Sequence, residues 1–348
     1  MERTRYPVWF LGTVLLAIGA LAAFNWAAGA YILHHRAGAS VQTLSGFERA
    51  LKPVWLEETQ PELVFVGSSR VRDGFDPALI DPALRTRSFN YGASSMTPYE
   101  ARRFVQDALA HPSVRRIVVA LDAFTGNGGA GEALPSFDET RLAVTPAGAP
   151  TPRRALWLFT TRFLSGGALG MNALGAWSLA RLGPQQTAAD RPDIFDAYSH
   201  MNRSVRDRDL AYRRARAMRM GPGAEREFSA MLDAACRAQA RLILFFPPDN
   251  MAIVARYRQS DAAGFDAYKR TVREDVARHN RQCPNQVELF DFMVPNPLTT
   301  EAMRDGRSPD YVDLVHFRPQ AGLWLLRQMG LAGVGEADAG EARAAARP

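Results

Sequence analysis

The sequence predicts an α/β protein built on a doubly wound, three-layer parallel sheet of flavodoxin-like type. An N-terminal transmembrane helix precedes it and a mostly helical insertion interrupts it. Three observations carry this expectation. Short apolar runs alternate with longer amphipathic stretches, the pattern of strands joined by crossover helices. The first and third runs stop abruptly at Gly67-Ser68-Ser69 and at Asp122, as buried parallel strands do where they deliver polar groups to a sheet edge. A charge-free stretch from Tyr6 to Leu33 stands ahead of all of them.

The N-terminal stretch reads as a membrane anchor over residues 1–36. Met1 to Arg5 holds two Arg and one Glu. A helix over Val8–Leu33 would measure about 39 Å, enough to cross a bilayer with tilt. Trp9 and Tyr31 sit near its ends, where interfacial aromatics belong. The alternative is a cleaved signal peptide, with Ala28-Gly29-Ala30 as the cleavage site, but the apolar run exceeds a usual signal core. Arg3 and Arg5 favour a cytoplasmic N-terminus against His34, His35 and Arg36 on the other flank. The expected location is a bacterial inner membrane, single-pass, with the globular part in the periplasm.

Residues 37–60 read as a polar, helix-prone stalk. The α/β domain is expected in two parts, 61–124 and 223–332, around an insertion at 125–222, with a disordered tail at 333–348. The expected strands are Leu63–Val66, Ser88–Tyr91, Arg116–Leu121, Leu242–Phe246 and Val287–Phe290. The clearest helix starts after Thr97, with Pro98 at the first helical position and Glu100 completing a capping box. Later helices are expected over Glu225–Ala240, Phe265–Asn280 and Gln320–Met329. Within the insertion, Leu156–Leu182 contains Arg162, Arg181 and several glycines. It is a poor second transmembrane helix and a better lid or membrane-resting element.

With 348 residues, 47% hydrophobic and 22% charged, the composition is that of a globular protein. The formal charge is +6, and Thr151–Pro222 alone contributes twelve Arg against five Asp. Those basic residues are not interleaved with stacking aromatics, so a nucleic-acid surface is not expected. Anionic lipid, acidic glycan or plain solvent suit them better. The two cysteines, Cys236 and Cys283, lack metal-type spacing. They are read either as a disulfide or as two buried thiols.

Two distant segments carry the chemistry. Val64-Phe65-Val66-Gly67-Ser68-Ser69-Arg70 brings a serine to the rim of the sheet. Asp313-Leu314-Val315-His316 sets a carboxylate and an imidazole three residues apart before a C-terminal helix. A serine hydroxyl needs a base to take its proton, and the base works best when a carboxylate orients it. Asn90-Tyr91-Gly92-Ala93-Ser94-Ser95, after the second strand, places a glycine whose backbone N–H is able to approach substrate.

On these blocks the chain resembles the SGNH (GDSL-type) hydrolases. It is especially similar to the membrane-anchored envelope branch that includes alginate O-acetylation and D-alanyl-transfer proteins. The resemblance spans roughly Glu62–Asp122 and Arg241–Gly330. It implies Ser69 as nucleophile and His316 as general base, oriented by Asp313. It also implies oxyanion donors at the N–H groups of Ser69 and Gly92, with Ser68 in place of the family's usual Asp. The family's third block supplies an Asn donor, whereas Asp122 stands here. An ionised Asp repels an oxyanion. Asp122 is therefore expected either protonated or gripping Arg70 or Arg72, with Asn90 or Asn127 as substitute donors. The implied partner is an acylated envelope glycan or lipid, together with the membrane and polysaccharide assembly proteins. No cofactor, metal or nucleotide is implied. His34, His35, His111, His200 and His279 have no evident role.

Overall fold

The computed structural model describes residues 5–34, 48–125, 133–134, 137–164, 173, 207, 218–284, 286–301 and 308–331. Five strands form one all-parallel sheet: β1 (Leu63–Val66), β2 (Ser88–Asn90), β3 (Arg116–Ala120), β4 (Arg241–Phe246) and β5 (Val287–Asp291). They coincide with the expected runs to within one residue at each end. Their order is β2-β1-β3-β4-β5. The chain runs outward from β1 to β2, then crosses back to β3. The carboxyl ends of β1 and β3 therefore flank the point where strand order reverses, the place where open α/β sheets form a crevice.

Strand side chains alternate between two faces. On one face Phe75 stacks on Phe65 at 4.7 Å and meets Phe245 and Phe317 edge-on at 5.9 and 5.7 Å. On the other face Phe246 packs against Tyr268 at 5.3 Å. The residues filling both faces are almost wholly buried, which explains why these strands read as continuous apolar runs instead of alternating ones.

The helices nearest the crevice are α3 (Ser69–Gly74), α4 (Pro77–Leu84), α5 (Pro98–Leu109) and α9 (Pro319–Gln328). Preceding them are α1 (Arg5–His34) and α2 (Glu48–Thr59), and between them lie α6 (Arg154–Phe159), α7 (Pro222–Arg237) and α8 (Met251–Gln282). The capping box at Thr97 and Glu100 forms as the sequence indicates. Helix α8 begins well before the expected Phe265, because Asn250 caps Ala252 N–H at 3.0 Å. It breaks at Asp261, whose side chain accepts from Gly264 N–H at 2.9 Å and restarts the helix. The expected helix corresponds to its second segment.

One expectation needs correction. The stalk is not a free spacer beyond residue 47. Helix α2 buries Leu51, Val54 and Leu56, and Arg49 pairs with buried Glu100 at 2.8 Å. Its polar residues point at internal partners, so Glu48–Thr59 is part of the folded unit. Residues 37–47 lie outside the described residues. Most of the insertion, and with it the expected lid, lies outside the described residues. The described part bonds to α5, with Arg103 donating to Val144 O at 2.6 Å and Leu134 N–H to Glu100 at 2.9 Å, and to α1, where Asn25 donates to Phe163 O at 2.9 Å. Among the described residues none of these bonds reaches Ser69 or His316. The Arg203–Arg219 segment and the 333–348 tail fall almost wholly outside the described residues.

Of the two readings of the cysteines, the structure has the disulfide. Cys236 at the end of α7 is joined to Cys283 just after α8, with Cα atoms 5.9 Å apart. A cross-link of this span removes loop entropy from the unfolded chain worth about 4 kcal/mol. Urea unfolding with and without a thiol reductant is expected to show a loss of that order. An unchanged midpoint under verified reduction would show that the link contributes nothing.

Helix α1 contains a 22-residue apolar window, Pro7–Ala28, of mean hydropathy 2.0. It is long and apolar enough to cross a membrane, and its large side chains, Leu16 at 76% among them, are exposed.

Candidate active site

Gly67 ends β1 and Ser68 caps α3, its hydroxyl accepting from Arg70 N–H at 3.4 Å. Ser69 is the first residue of that helix, so its N–H has no acceptor within the helix. Its Oγ lies 2.7 Å from His316 Nε2. His316 Nδ1 lies 2.7 Å from Asp313 Oδ2. Asp313 Oδ1 accepts from the backbone N–H groups of Val315 and His316 at 2.9 and 2.8 Å. Both carboxylate oxygens are thus engaged, and the imidazole is held in one plane and one tautomer.

Residues 247 apart in sequence meet here because their two loops are fastened to the same core. Tyr311 and Phe317 pair across a tight antiparallel bridge that presents the 313–316 segment. Tyr311 Oη donates to Pro248 O at 2.6 Å, and Asn250 N–H donates to Leu314 O at 3.0 Å. Helix α3 and helix α9 then cross without a side chain between them. A Cβ on Gly322 would come within 1.8 Å of Gly74 O, and one on Gly74 within 2.0 Å of the Phe317 ring. Only glycine permits this approach. It sets the separation between Ser69, at the start of α3, and His316, just ahead of α9.

The electrostatics follow from burial and neighbours. Burial of the His316 ring opposes its charge, yet the Asp313 carboxylate outweighs this, and the pKa of His316 is raised above its ordinary value. Burial works against ionised Asp313 as well, but the His316 charge and the three hydrogen bonds hold its pKa well below the usual carboxylate range. The pair is arranged to support an imidazolium.

Arg70 lies beneath the serine. It is 7% exposed and points inward. Burial disfavours its charge, but Asp249 and then Asp122 more than compensate, and its pKa is raised. Its Nη1 lies 2.8 Å from Asp249 Oδ1, and its Nε 3.6 Å from Asp122 Oδ2. Ser68 Oγ donates to the same Asp122 oxygen. Asp122 is therefore an acceptor gripping Arg70 and Ser68. Of the alternatives open in the sequence, the grip on Arg70 is the one found. Arg72 instead pairs with Asp73 at 2.5 Å and Glu48 at 3.2 Å. Asp249, wholly buried after β4, went unnoticed in the sequence. Its position at a strand's carboxyl end is the signal that would have found it.

Two of the expected oxyanion donors are engaged elsewhere. Gly92 N–H donates to Asn90 Oδ1 at 2.9 Å, so this donor is already used. Asn90 spends its amide on the backbone of α3, donating to Val71 O at 2.8 Å and Phe75 O at 2.6 Å. It is not a substitute oxyanion donor in this arrangement. A Cβ on Gly92 would lie 2.4 Å from Arg72 N. The glycine therefore admits the close approach of α3 and does not line an open anion pocket. Asn127 lies outside the described residues. Away from this site, Cys236, Cys283 and His279 bring potential ligand atoms within 4.8 Å of one another, but the two sulfurs are joined to each other. No family model matches the chain, and no curated protein matches it.

Proposed function

We propose that this protein is a membrane-anchored serine esterase or O-acyltransferase of SGNH type, built on a doubly wound three-layer domain facing the periplasm. The observation that carries the proposal is the hydrogen-bonded chain Ser69–His316–Asp313 at the sheet's switch point. In this reading Ser69 Oγ attacks an ester carbonyl, usually acetyl, as His316 Nε2 takes its proton. The tetrahedral oxyanion is bound by the Ser69 N–H. Collapse expels the alcohol, which takes the proton back from His316. The acyl-serine then passes to water or to a sugar hydroxyl. An envelope glycan or lipid is the substrate class that suits an anchored enzyme, and polysaccharide assembly proteins are the corresponding partners.

A second reading is favoured by one specific observation. With Gly92 N–H held by Asn90 and Asp122 in place of an amide donor, the oxyanion position has one evident donor. That suits a non-catalytic glycan-binding or scaffold subunit that retains the fold. A fluorophosphonate probe, which phosphonylates an activated serine, separates the two. Labelling mapped to Ser69 by peptide mass spectrometry, and lost in His316→Ala, is expected. A folded wild-type protein that takes no label would decide for the scaffold.

The pH profile gives an independent check. The working base is the neutral imidazole, so a raised His316 pKa places the rising limb of the pH–rate curve above that of an ordinary imidazole, 6.5. Asp313→Asn removes the charge that raises it. The limb is then expected to move to lower pH while the plateau falls by on the order of 10^4, because the tautomer is no longer fixed. A limb that does not move would show that Asp313 does not act on His316.

A further inference from the structure

Helix α6 runs straight into an irregular π-type turn, Thr160–Leu164, and this turn packs against α1. On α1 the covered positions among the described side chains are Leu21, Ala22, Asn25 and Ala28, which lie on one helical face. Asn25 is 1% exposed and its Nδ2 donates to Phe163 O at 2.9 Å. Asn25 lies inside the apolar window, three residues before its end at Ala28. The contact is therefore about 4.5 Å within the span, at 1.5 Å per residue.

A polar side chain in such a window is costly unless paired, and a π-type turn strains the regular pattern of backbone bonds. In a bilayer a backbone carbonyl needs a partner inside the protein. The bond from Asn25 to Phe163 O meets both demands at once. A buried amide needs such a partner in any solvent; what points to lipid is the apolar surface around it.

The outer side of this segment is apolar and uncovered. Leu156, Trp157 and Phe159 are 54%, 44% and 50% exposed, and the Phe159 and Phe163 rings adjoin at 5.0 Å. This surface continues that of α1, where Phe24 and Trp26 are also exposed. At the polar end of α6, Arg153 is exposed and Arg154 pairs with Glu57 of α2 at 2.8 Å. An apolar face with an indole and a basic end is the composition of an element lying in the headgroup–acyl boundary.

We infer that residues 154–164 form an interfacial wedge that enters the lipid bilayer beside α1, so that the protein holds the membrane at two places. The inference rests on α1 crossing a bilayer and is independent of the serine chemistry. It adds orientation to anchoring. The wedge holds the Glu57 end of α2, and the Glu48 end pairs with Arg72 at 3.2 Å in the helix that begins with Ser69. Helix α2, of 12 residues, thereby links the bilayer surface to the crevice. A tether alone would let the domain tumble above the membrane. A tether with a wedge presents the crevice at a fixed height, which suits a substrate held in or on the same bilayer.

The test uses the full-length chain in nanodiscs of phosphatidylethanolamine and phosphatidylglycerol. An environment-sensitive fluorophore is attached at one introduced cysteine, the native pair being joined. Leu16→Cys reports on α1, Leu156→Cys on the wedge, and Ser260→Cys on an exposed site of α8. The label at 156 is expected to be blue-shifted and quenched roughly two-fold by lipids brominated near the headgroup, as an interfacial residue should be. The label at 260 should remain water-like. Quenching at 16 but not at 156 would overturn the wedge and leave the anchor standing. A blue shift at 156 without lipid quenching would assign the surface to a protein partner and equally overturn it. No quenching at 16 by lipids brominated deep in the acyl chain would remove α1 from the bilayer, and the wedge with it. Fluorophosphonate labelling of Ser69, measured on the same samples, keeps the enzymatic proposal separately decidable.

Discussion

Ser69→Ala is expected to abolish the early burst of nitrophenol from p-nitrophenyl acetate and to lower steady ester turnover by about 10^4-fold or more, since a triad nucleophile and its base act as a unit. The wild-type rate should itself be modest. Loss of one oxyanion donor costs about 10^2–10^3 in rate, and here Gly92 N–H is engaged by Asn90. Slow hydrolysis with a clear burst is the signature of an acyl-enzyme awaiting an acceptor other than water. Adding a glycan acceptor should then speed the steady phase without enlarging the burst. Rapid-mixing absorbance on purified protein in detergent or nanodiscs reads both phases. Equal turnover by wild type and Ser69→Ala would remove the esterase proposal.

Arg70→Met is expected to destabilise the fold by about 3–5 kcal/mol, the cost of breaking a buried ion pair from one side. Asp249 is fully buried, and Asp122 loses the same partner. An exposed pair would be worth at most about 1 kcal/mol, so the size of the effect discriminates. The methionine fills a similar volume, which limits any cavity contribution. Denaturant midpoints of the two proteins provide the measurement. A loss below about 1 kcal/mol would mean that solvent reaches the cluster and that the pair is not a support for α3.

The features legible in the sequence were those encoded locally. Val64-Phe65-Val66 and Leu242–Phe246 announce buried strands because a strand covered on both faces is apolar at every position. Thr97 and Glu100 announce a helix start because the cap closes within three residues. Ser69 and the Asp313–His316 pair were legible for a related reason. Each stands at the end of an element, and the carboxylate reaches the imidazole across a single tight loop.

Other features depend on neighbours that no local pattern specifies. Asn90 and Gly92 read as a donor site, but the descent of α3 onto that loop turned them into its fastening. Glu48, Arg49 and Lys52 read as a solvated stalk, yet each found an internal partner: Arg72 for Glu48, Glu100 for Arg49 and Gly92 O for Lys52. Asp249 was silent because its partner, Arg70, lies in α3, which follows a different strand.

By itself the sequence determined the strands, the apolar helix and the three residues able to form a hydrogen-bonded relay, since periodicity and capping act over a few residues. The tertiary structure alone decided which polar groups are consumed in holding α3 in place and which remain to face a ligand. A buried donor or acceptor must be satisfied by whatever partner packing brings within about 3 Å, and packing joins residues hundreds of positions apart.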